Sequence, residues 1–301
     1  VKSVLITGSE GYIGQHLGKI FFESGIRSIG LDKKIKNGCN SSLEYILCDL
    51  SSSTLGDFDE EIDCLVHLAG VSQVNASRAD YQRNTIDVAT NLLNSHVCKS
   101  LKKIVLLSSN KIDDQSCYGQ SKIVVERKFE KFCTQNKIAL TILRSSIVFG
   151  KGMNSNLIKW TRLIKQYPVP RIPENSSAVA MIGIRDLCKA IVECCVNPVT
   201  DNKKYYLSDG HCYRINDIEK RARTIANKTE KGLVIPRAII FLMAKTGDVL
   251  GKAGFPLPIN SGSFNMLLEN KYENHENFYR DTNLIPQQDF LSELPHILDI
   301  Q

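Results

Sequence analysis

Directly behind the apolar run Val4-Leu5-Ile6 stands Thr7-Gly8-Ser9-Glu10-Gly11-Tyr12-Ile13-Gly14, a short strand emptying into three glycines spaced every third residue. Few folds accept such a segment. Gly8 lets the backbone leave the strand in a tight turn, Gly11 lets it approach a bound group closely, and Gly14 lets the following helix pack against the sheet. That helix start presents free N–H groups and the positive end of its dipole, a seat for the pyrophosphate of a dinucleotide. Glu10, Tyr12 and Ile13 complete the cradle.

A second apolar stretch, with Ile26, Ile29 and Leu31, runs into Asp32, 18 residues beyond Gly14. A carboxylate about 20 residues past the glycines accepts hydrogen bonds from a ribose 2′-hydroxyl and repels a 2′-phosphate. NAD(H) is therefore the expected cofactor. Lys33 and Lys34 follow at once and can neutralise such a phosphate, which leaves NADP(H) open.

Apolar strands alternate with helical stretches through the first half of the chain. Strands are predicted at residues 4–7, 28–31, 45–47, 64–68, 104–108 and 140–143, and helices at 13–23, 85–99 and 118–135. Such alternation makes right-handed β-α-β units. The expected fold is α/β, a Rossmann doubly wound parallel sheet with helices on both faces over residues 1–150. A smaller mixed α/β substrate lobe is expected over residues 151–301, its chain partly interleaved with the first domain. There a helix is predicted at 185–196, a strand at 205–207 and a helix at 216–227, while glycine, asparagine and proline punctuate a lid at 151–156 and 167–177. The stretch Ala238-Ile239-Ile240-Phe241-Leu242-Met243-Ala244 is apolar on every face and begins just after Pro236. It reads as a buried helix, with docking to a membrane surface or a partner as the alternative.

Composition narrows the function. With 301 residues, 43% of them hydrophobic and 23% charged, the chain can bury a full core. The 38 basic and 32 acidic residues leave a net charge of +6, which suits an anionic small molecule but makes no basic strip for nucleic acid. Ten cysteines include no C-x-x-C pair and read as buried thiols of a reducing compartment, and six isolated histidines imply no metal site. No apolar stretch approaches the ~20 residues of a membrane span. The sequence opens on its first strand, so no leader peptide is expected, and the expected location is cytoplasmic.

Tyr118-Gly119-Gln120-Ser121-Lys122 places a phenol and an ammonium four residues apart, on one face of a helix. A neighbouring cation favours the phenolate, which suits Tyr118 to general acid/base work. Lys122 is also expected to reach the nicotinamide ribose. Ser109 ends the preceding strand at the ligand edge, where its hydroxyl can hold a substrate oxygen. A lone Y-x-x-x-K is ordinary on a solvated helix; its weight comes from following the glycine loop, Asp32 and a strand-ending serine in order.

Carrying these motifs, the chain resembles the extended short-chain dehydrogenase/reductase superfamily, in its branch of NAD-dependent nucleotide-sugar epimerases, dehydratases and ketoreductases, over nearly its whole length. The resemblance implies adenine contacts from Asp49-Leu50, pyrophosphate and ribose contacts from His67-Leu68-Ala69-Gly70, and a cofactor contact from Asn84. Leu143-Arg144-Ser145-Ser146-Ile147-Val148-Phe149-Gly150 is similar to the family's L-R-P-x-x-V-Y-G, and Ile184-Arg185-Asp186-Leu187 to its V-x-D-L. Ser108-Ser109-Asn110-Lys111-Ile112 is similar to the S-S-x-K-V of bacterial reductases acting on UDP-4-keto-6-deoxy-N-acetylhexosamines in O-antigen and capsule assembly. Asn175-Ser176-Ser177 and Tyr206-Leu207-Ser208-Asp209-Gly210 are similar to the same group. Ser108 and Ser145 are thereby implied at the cofactor, as is Lys33, and Val71 and Lys111 at the sugar. Two departures stand out. Eight residues separate Ser109 from Tyr118, fewer than is usual in 4-epimerases, and Ser145 replaces the customary proline.

The implied activity is 4-ketoreduction of such a UDP-sugar, with Tyr118 giving the proton, Ser109 positioning the oxygen and Lys122 supporting the tyrosine. A UDP-hexose 4-epimerase is the alternative, using the same residues twice. A non-catalytic NAD(P)-binding protein is a second alternative, although such proteins usually lose the tyrosine or lysine. For the UDP diphosphate, Lys159, Arg162, Lys165, Arg171 and Arg280 are available, with Arg171 foremost because it lies in the proline-bounded segment 170–173. The resemblance also implies a homodimer through a four-helix bundle built from the helices near 85–99 and 118–135.

Overall fold

The computed structural model describes residues 1–35, 43–56, 60–72, 76–113, 115–174, 177–229, 233–252 and 275–298. The chain forms two compact units. One comprises Val1–Ser146, Ile184–Leu207 and Asn274–Ile285, and the other Ile147–Gly183, Ser208–Glu273 and Pro286–Gln301.

The first unit is built on seven parallel strands in the order β3-β2-β1-β4-β5-β6-β9. They are β1 (Ser3–Thr7), β2 (Arg27–Asp32), β3 (Glu44–Leu47), β4 (Cys64–His67), β5 (Lys103–Ser109), β6 (Ala139–Ser145) and β9 (Lys204–Leu207). The strands β1, β4 and β5 are buried at every position, as expected of a sheet covered on both faces. Helix α1 (Tyr12–Glu23) turns Leu17 and Phe21 inward, and α4 (Cys117–Asn136) turns Val125, Phe129 and Cys133 inward. Winding reverses between β1 and β4, so their carboxyl ends part to leave the crevice in which such sheets bind ligands. Six of the nine described cysteines are buried, and all nine are free thiols.

One expected helix is not continuous. In place of a helix over 85–99, the chain enters a helical turn at Arg78–Tyr81, capped by Ser77 and Asp80, and passes through a π-helical turn at Gln82–Asp87. It continues as α3 (Val88–Leu93), breaks, and ends in a 3-10 turn at His96–Lys99. The break lies at Ser95, which is extended and whose Oγ accepts the Leu55 N–H at 2.9 Å. A hydroxyl that bonds a distant loop competes with helix continuation.

The second unit holds a three-stranded sheet in the order β10-β8-β7, with β7 (Ile147–Phe149) parallel and β10 (Cys212–Arg214) antiparallel to β8 (Ala178–Gly183). Phe149, Tyr213 and Phe290 meet edge to face, with ring centres 5.3 and 5.6 Å apart. On α7 (Ile215–Ile225), Arg223 and Glu219 form a buried ion pair at 2.7 Å, and Arg223 also donates to the Val169 carbonyl at 2.9 Å. Arg171 exchanges backbone hydrogen bonds with Leu233 and Ile235, both at 2.8 Å, so this segment is held from two sides.

The expectation of a buried helix at 238–244 is corrected. The stretch is helical, within α8 (Arg237–Lys252), but Ile239, Phe241 and Leu242 are 48%, 51% and 64% exposed. Among the helix's described residues only Ala244 and Gly247, three apart, are buried.

Replacing Arg223 by Met strands a buried carboxylate and is expected to cost about 3 kcal/mol in chemical denaturation. Adding Glu219→Leu to Arg223→Met should recover most of that loss.

Candidate active site

The site assembles where β1, β2, β4 and β5 end. Gly8 leaves β1 at φ +74°, and a Cβ there would lie 2.9 Å from the backbone of Ala69 just past β4. A Cβ on Gly14 would lie 2.6 Å from the Ser9 backbone, so the start of α1 closes directly on the loop. The loop is tied to the second strand as well: the Glu10 N–H donates to Asp32 Oδ2 at 3.0 Å, and the Lys33 N–H to Oδ1 at 2.8 Å. A carboxylate has about four acceptor positions, so Asp32 retains capacity for ribose hydroxyls. A glycine cradle with no room for side chains, a free helix start and a carboxylate at the second strand fit a dinucleotide.

Further along, Lys33 Nζ donates to Asn84 Oδ1 at 3.2 Å. Asp49 is held below the usual carboxylate range, first by hydrogen bonding from Ser51, with Lys33 and Arg83 adding their charges. Leu50 is buried, and its carbonyl accepts from Asn91 Nδ2 at 2.8 Å. Tyr12 and Ile13 open α1 half-buried, and burial pushes the Tyr12 phenol up. Leu68 and Ala69 are half-buried and Gly70 exposed beyond β4, whereas Ser108 and Ser145 are buried in the sheet.

At the catalytic end, Ser116 caps α4 by accepting the Gly119 N–H at 3.1 Å, which fixes Tyr118 and Lys122 in the first two turns. Lys122 Nζ stands 5.8 Å from the centre of the Tyr118 ring. A Cβ on Gly70 would lie 3.5 Å from that same ammonium, so Lys122 reaches back over the end of β4. Ser109 closes β5 opposite Ser145 of β6, and its Oγ accepts the Lys111 N–H at 3.2 Å. The helix is secured one turn beyond Lys122, where Glu126 takes Arg144 of β6 in two bonds, at 2.7 and 3.2 Å. Arg144 in turn donates to Tyr206 Oη of β9 at 2.9 Å.

Three residues that shape the site escaped the sequence reading. Tyr81, buried, sets its ring edge-on to Tyr118 with centres 6.1 Å apart. Thr85, in the π-helical turn, accepts the Val71 N–H on its Oγ1 at 3.0 Å. Thr7 Oγ1 lies 2.8 Å from Nδ1 of the buried His67. The one available signal was the Ser77-x-x-Asp80 capping pair, which marks the true helix start.

The structure places Arg171, half-buried, in the second unit and Arg280 in the first. Arg280 lies on α9 (Glu276–Thr282), beside Asp281, whose carboxylate bonds Lys203 and Tyr205 at the amino-terminal half of β9. It is thus not brought together with the strand ends that hold Gly8 and Ser109. Among the described residues no group of three or more His, Cys, Asp or Glu side chains is placed to hold a metal. Residues 175 and 176 lie outside the described residues.

Burial, followed by the charge of Lys122, holds His67 down to about 3. Its folded value is below the unfolded one of about 6.5, so the unfolded chain binds the extra proton. Stability should be complete above pH 6.5 and fall by about 1.4 kcal/mol per unit as pH drops toward 3. Denaturation across that window should show the slope in the wild type and a flatter one in His67→Gln, whatever the variant's starting stability.

Residues 4–206 match the NAD-dependent epimerase/dehydratase family. The UDP-glucose 4-epimerase of Vibrio cholerae is 23% identical over 281 residues, covering 84% of this chain and 83% of its own length. That of Yersinia enterocolitica is 22% identical over 279 residues, covering 75% and 83%. Among solved structures, a UDP-glucuronic acid 4-epimerase from Bacillus cereus, in complex with UDP-glucuronic acid and NAD, superposes with a TM-score of 0.74 at 19% identity over 98% of both chains. The UDP-glucose 4-epimerase of Thermotoga maritima with UDP-glucose gives 0.73 at 15% identity, over 99% of this chain and 97% of that one. These likenesses show a shared fold. With the family match running from the first strand to the last strand of the parallel sheet, the chain belongs to the NAD-dependent epimerase/dehydratase family, with NAD as its cofactor.

Proposed function

We propose that this protein acts by oxidoreduction at C4 of a UDP-hexose, as a 4-epimerase. The observation that carries the reading is the pairing of Tyr118 and Lys122 one turn apart on α4, beside the strand end at Ser109, in the unit that also holds the glycine cradle. Bound NAD supplies the acceptor, then the donor, of the C4 hydride. Tyr118 takes the proton of the C4 hydroxyl as that carbon is oxidised and returns it on reduction. Lys122 stands beside the Tyr118 ring as its cationic neighbour, and Ser109 holds the C4 oxygen by a hydrogen bond. Epimerisation requires the sugar to present its other face before the hydride returns.

Support comes from the two curated relatives, both UDP-glucose 4-epimerases. A second reading, 4-ketoreduction of a UDP-4-keto-6-deoxy-N-acetylhexosamine for O-antigen assembly, is favoured by one feature. The chain leaves Ser109 through a single 3-10 turn, Asn110–Asp113, and reaches the Ser116 cap almost at once, so little wall is available on that side of the sugar. In either reading Arg171, whose backbone is anchored on both sides, is proposed to bind the diphosphate, and Lys111 and Val71 to face the sugar. A homodimer through α3 and α4, in the cytoplasm, is part of the same proposal.

The assay is conversion of UDP-glucose and UDP-N-acetylglucosamine to their C4 epimers without added cofactor, run beside oxidation of NADH and NADPH with UDP-4-keto sugars. Epimer formation supports the first reading; nicotinamide oxidation without epimer formation assigns the second. Tyr118→Phe should lower kcat about 10²–10⁴-fold with NAD binding retained. Unchanged turnover would remove the acid/base role.

A further inference from the structure

Past β4 the chain leaves the sheet through residues 68–71, and the backbone N–H groups of that loop are held from two sides. The Leu68 N–H donates to the Thr7 carbonyl at 3.1 Å and the Ala69 N–H to Thr7 Oγ1 at 3.4 Å, so these two residues stay tied to β1. The Val71 N–H turns instead to Thr85 Oγ1, at 3.0 Å. Thr85 stands in the π-helical turn Gln82–Asp87 and is 1% exposed. Between the two ties lies Gly70, at φ +151°, where a Cβ would meet Thr85 Oγ1, Thr85 Cγ2 and Lys122 Nζ, each at 3.5 Å. One glycine thus separates the threonine from the lysine of the catalytic pair.

The anchor for the second tie is itself fixed. It follows directly on the turn Arg78–Tyr81, which Ser77 and Asp80 cap, and Tyr81 is buried with its ring against Tyr118. On the other side the chain runs into α3, whose Ala89 and Leu92 are fully buried. A hydroxyl on such a segment holds a loop in one conformation. The same loop without that bond must be ordered each time a ligand binds, and the ordering is subtracted from affinity. Ala69 has little such freedom, because its backbone lies against Gly8 of the glycine turn. The end that needs restraint is the one at Gly70 and Val71, and Thr85 supplies it.

We propose that Thr85 is a positioning residue of the cofactor site, its hydroxyl holding Gly70 and Val71 in place beside Lys122 so that NAD meets a loop already ordered. The proposal rests on this crevice being the NAD site and not on which C4 reaction follows. The test is titration of the full chain, freed of co-purified nucleotide, with NADH by nicotinamide fluorescence, beside amide hydrogen exchange over residues 68–72 with and without NADH. Thr85→Val keeps the shape of the side chain and loses the acceptor. It should weaken NADH binding about threefold to tenfold and speed exchange over 68–72 in the free protein, with NADH restoring the protection. Thr85→Ser keeps the oxygen and should bind NADH as the wild type does. A role in stability alone would lower the denaturation midpoint of Thr85→Val without moving its NADH affinity, and that result overturns the proposal, as does equal weakening in Thr85→Ser. If the wild type fails to bind NADH, the reading of the crevice falls and the proposal with it.

Discussion

The closeness of two backbones, the turn after β1 and the residues after β4, is the constraint on which the site depends. Gly8 sits in a left-handed conformation with no room for a Cβ against Ala69, and Gly14 has none against Ser9. Were either contact looser, the first N–H groups of α1 would not all face the crevice where the winding of the sheet reverses. The same loop fixes Asp32, because the Glu10 N–H reaches its carboxylate. Cofactor seat and cofactor choice thus follow from one tight crossing.

The catalytic pair depends on a different lock. Tyr118 and Lys122 are aimed by α4, and α4 is held to the sheet by the pair of buried Glu126 and half-buried Arg144, continued to Tyr206. From the other side the helical turn ending at Tyr81 sets that ring against Tyr118, and the π-helical turn that follows it sets Thr85 on the Val71 N–H. A π turn widens the helix locally and recurs at functional sites. Here it lets one segment brace the tyrosine and the loop after β4 together. Lys122 then stands where its charge reaches both the phenol and the neighbourhood of His67, whose neutrality burial already enforces.

What could be read from sequence was local. The glycine triplet, the carboxylate after the second strand and the Tyr118–Lys122 spacing each depend on a few neighbouring residues, and the structure places them at the expected strand ends and helix face. The residues that escaped are joined by register. Thr7 meets His67 because β1 and β4 pair in parallel with those residues opposite each other, and no spacing along the chain announces that. The helix expected over 85–99 failed for a related reason: its break is made by Ser95 bonding Leu55, forty positions away. Arg280 was grouped with the C-terminal cations by chain position, yet its segment returns to the first unit.

The misjudged helix at 238–244 separates hydrophobicity from burial. A run that is apolar all round does not say which side meets the core. In α8 both kinds of position occur: Ala244 and Gly247 are buried, whereas Ile239, Phe241 and Leu242 are exposed, so the helix has an inward and an outward side although its sequence is apolar on both. Full burial of a large apolar side chain is worth roughly 1.5–3 kcal/mol, and these exposed side chains forgo much of it. Which side of such a helix meets the core is decided by its tertiary neighbours, and a pattern with no polar face carries no information about them.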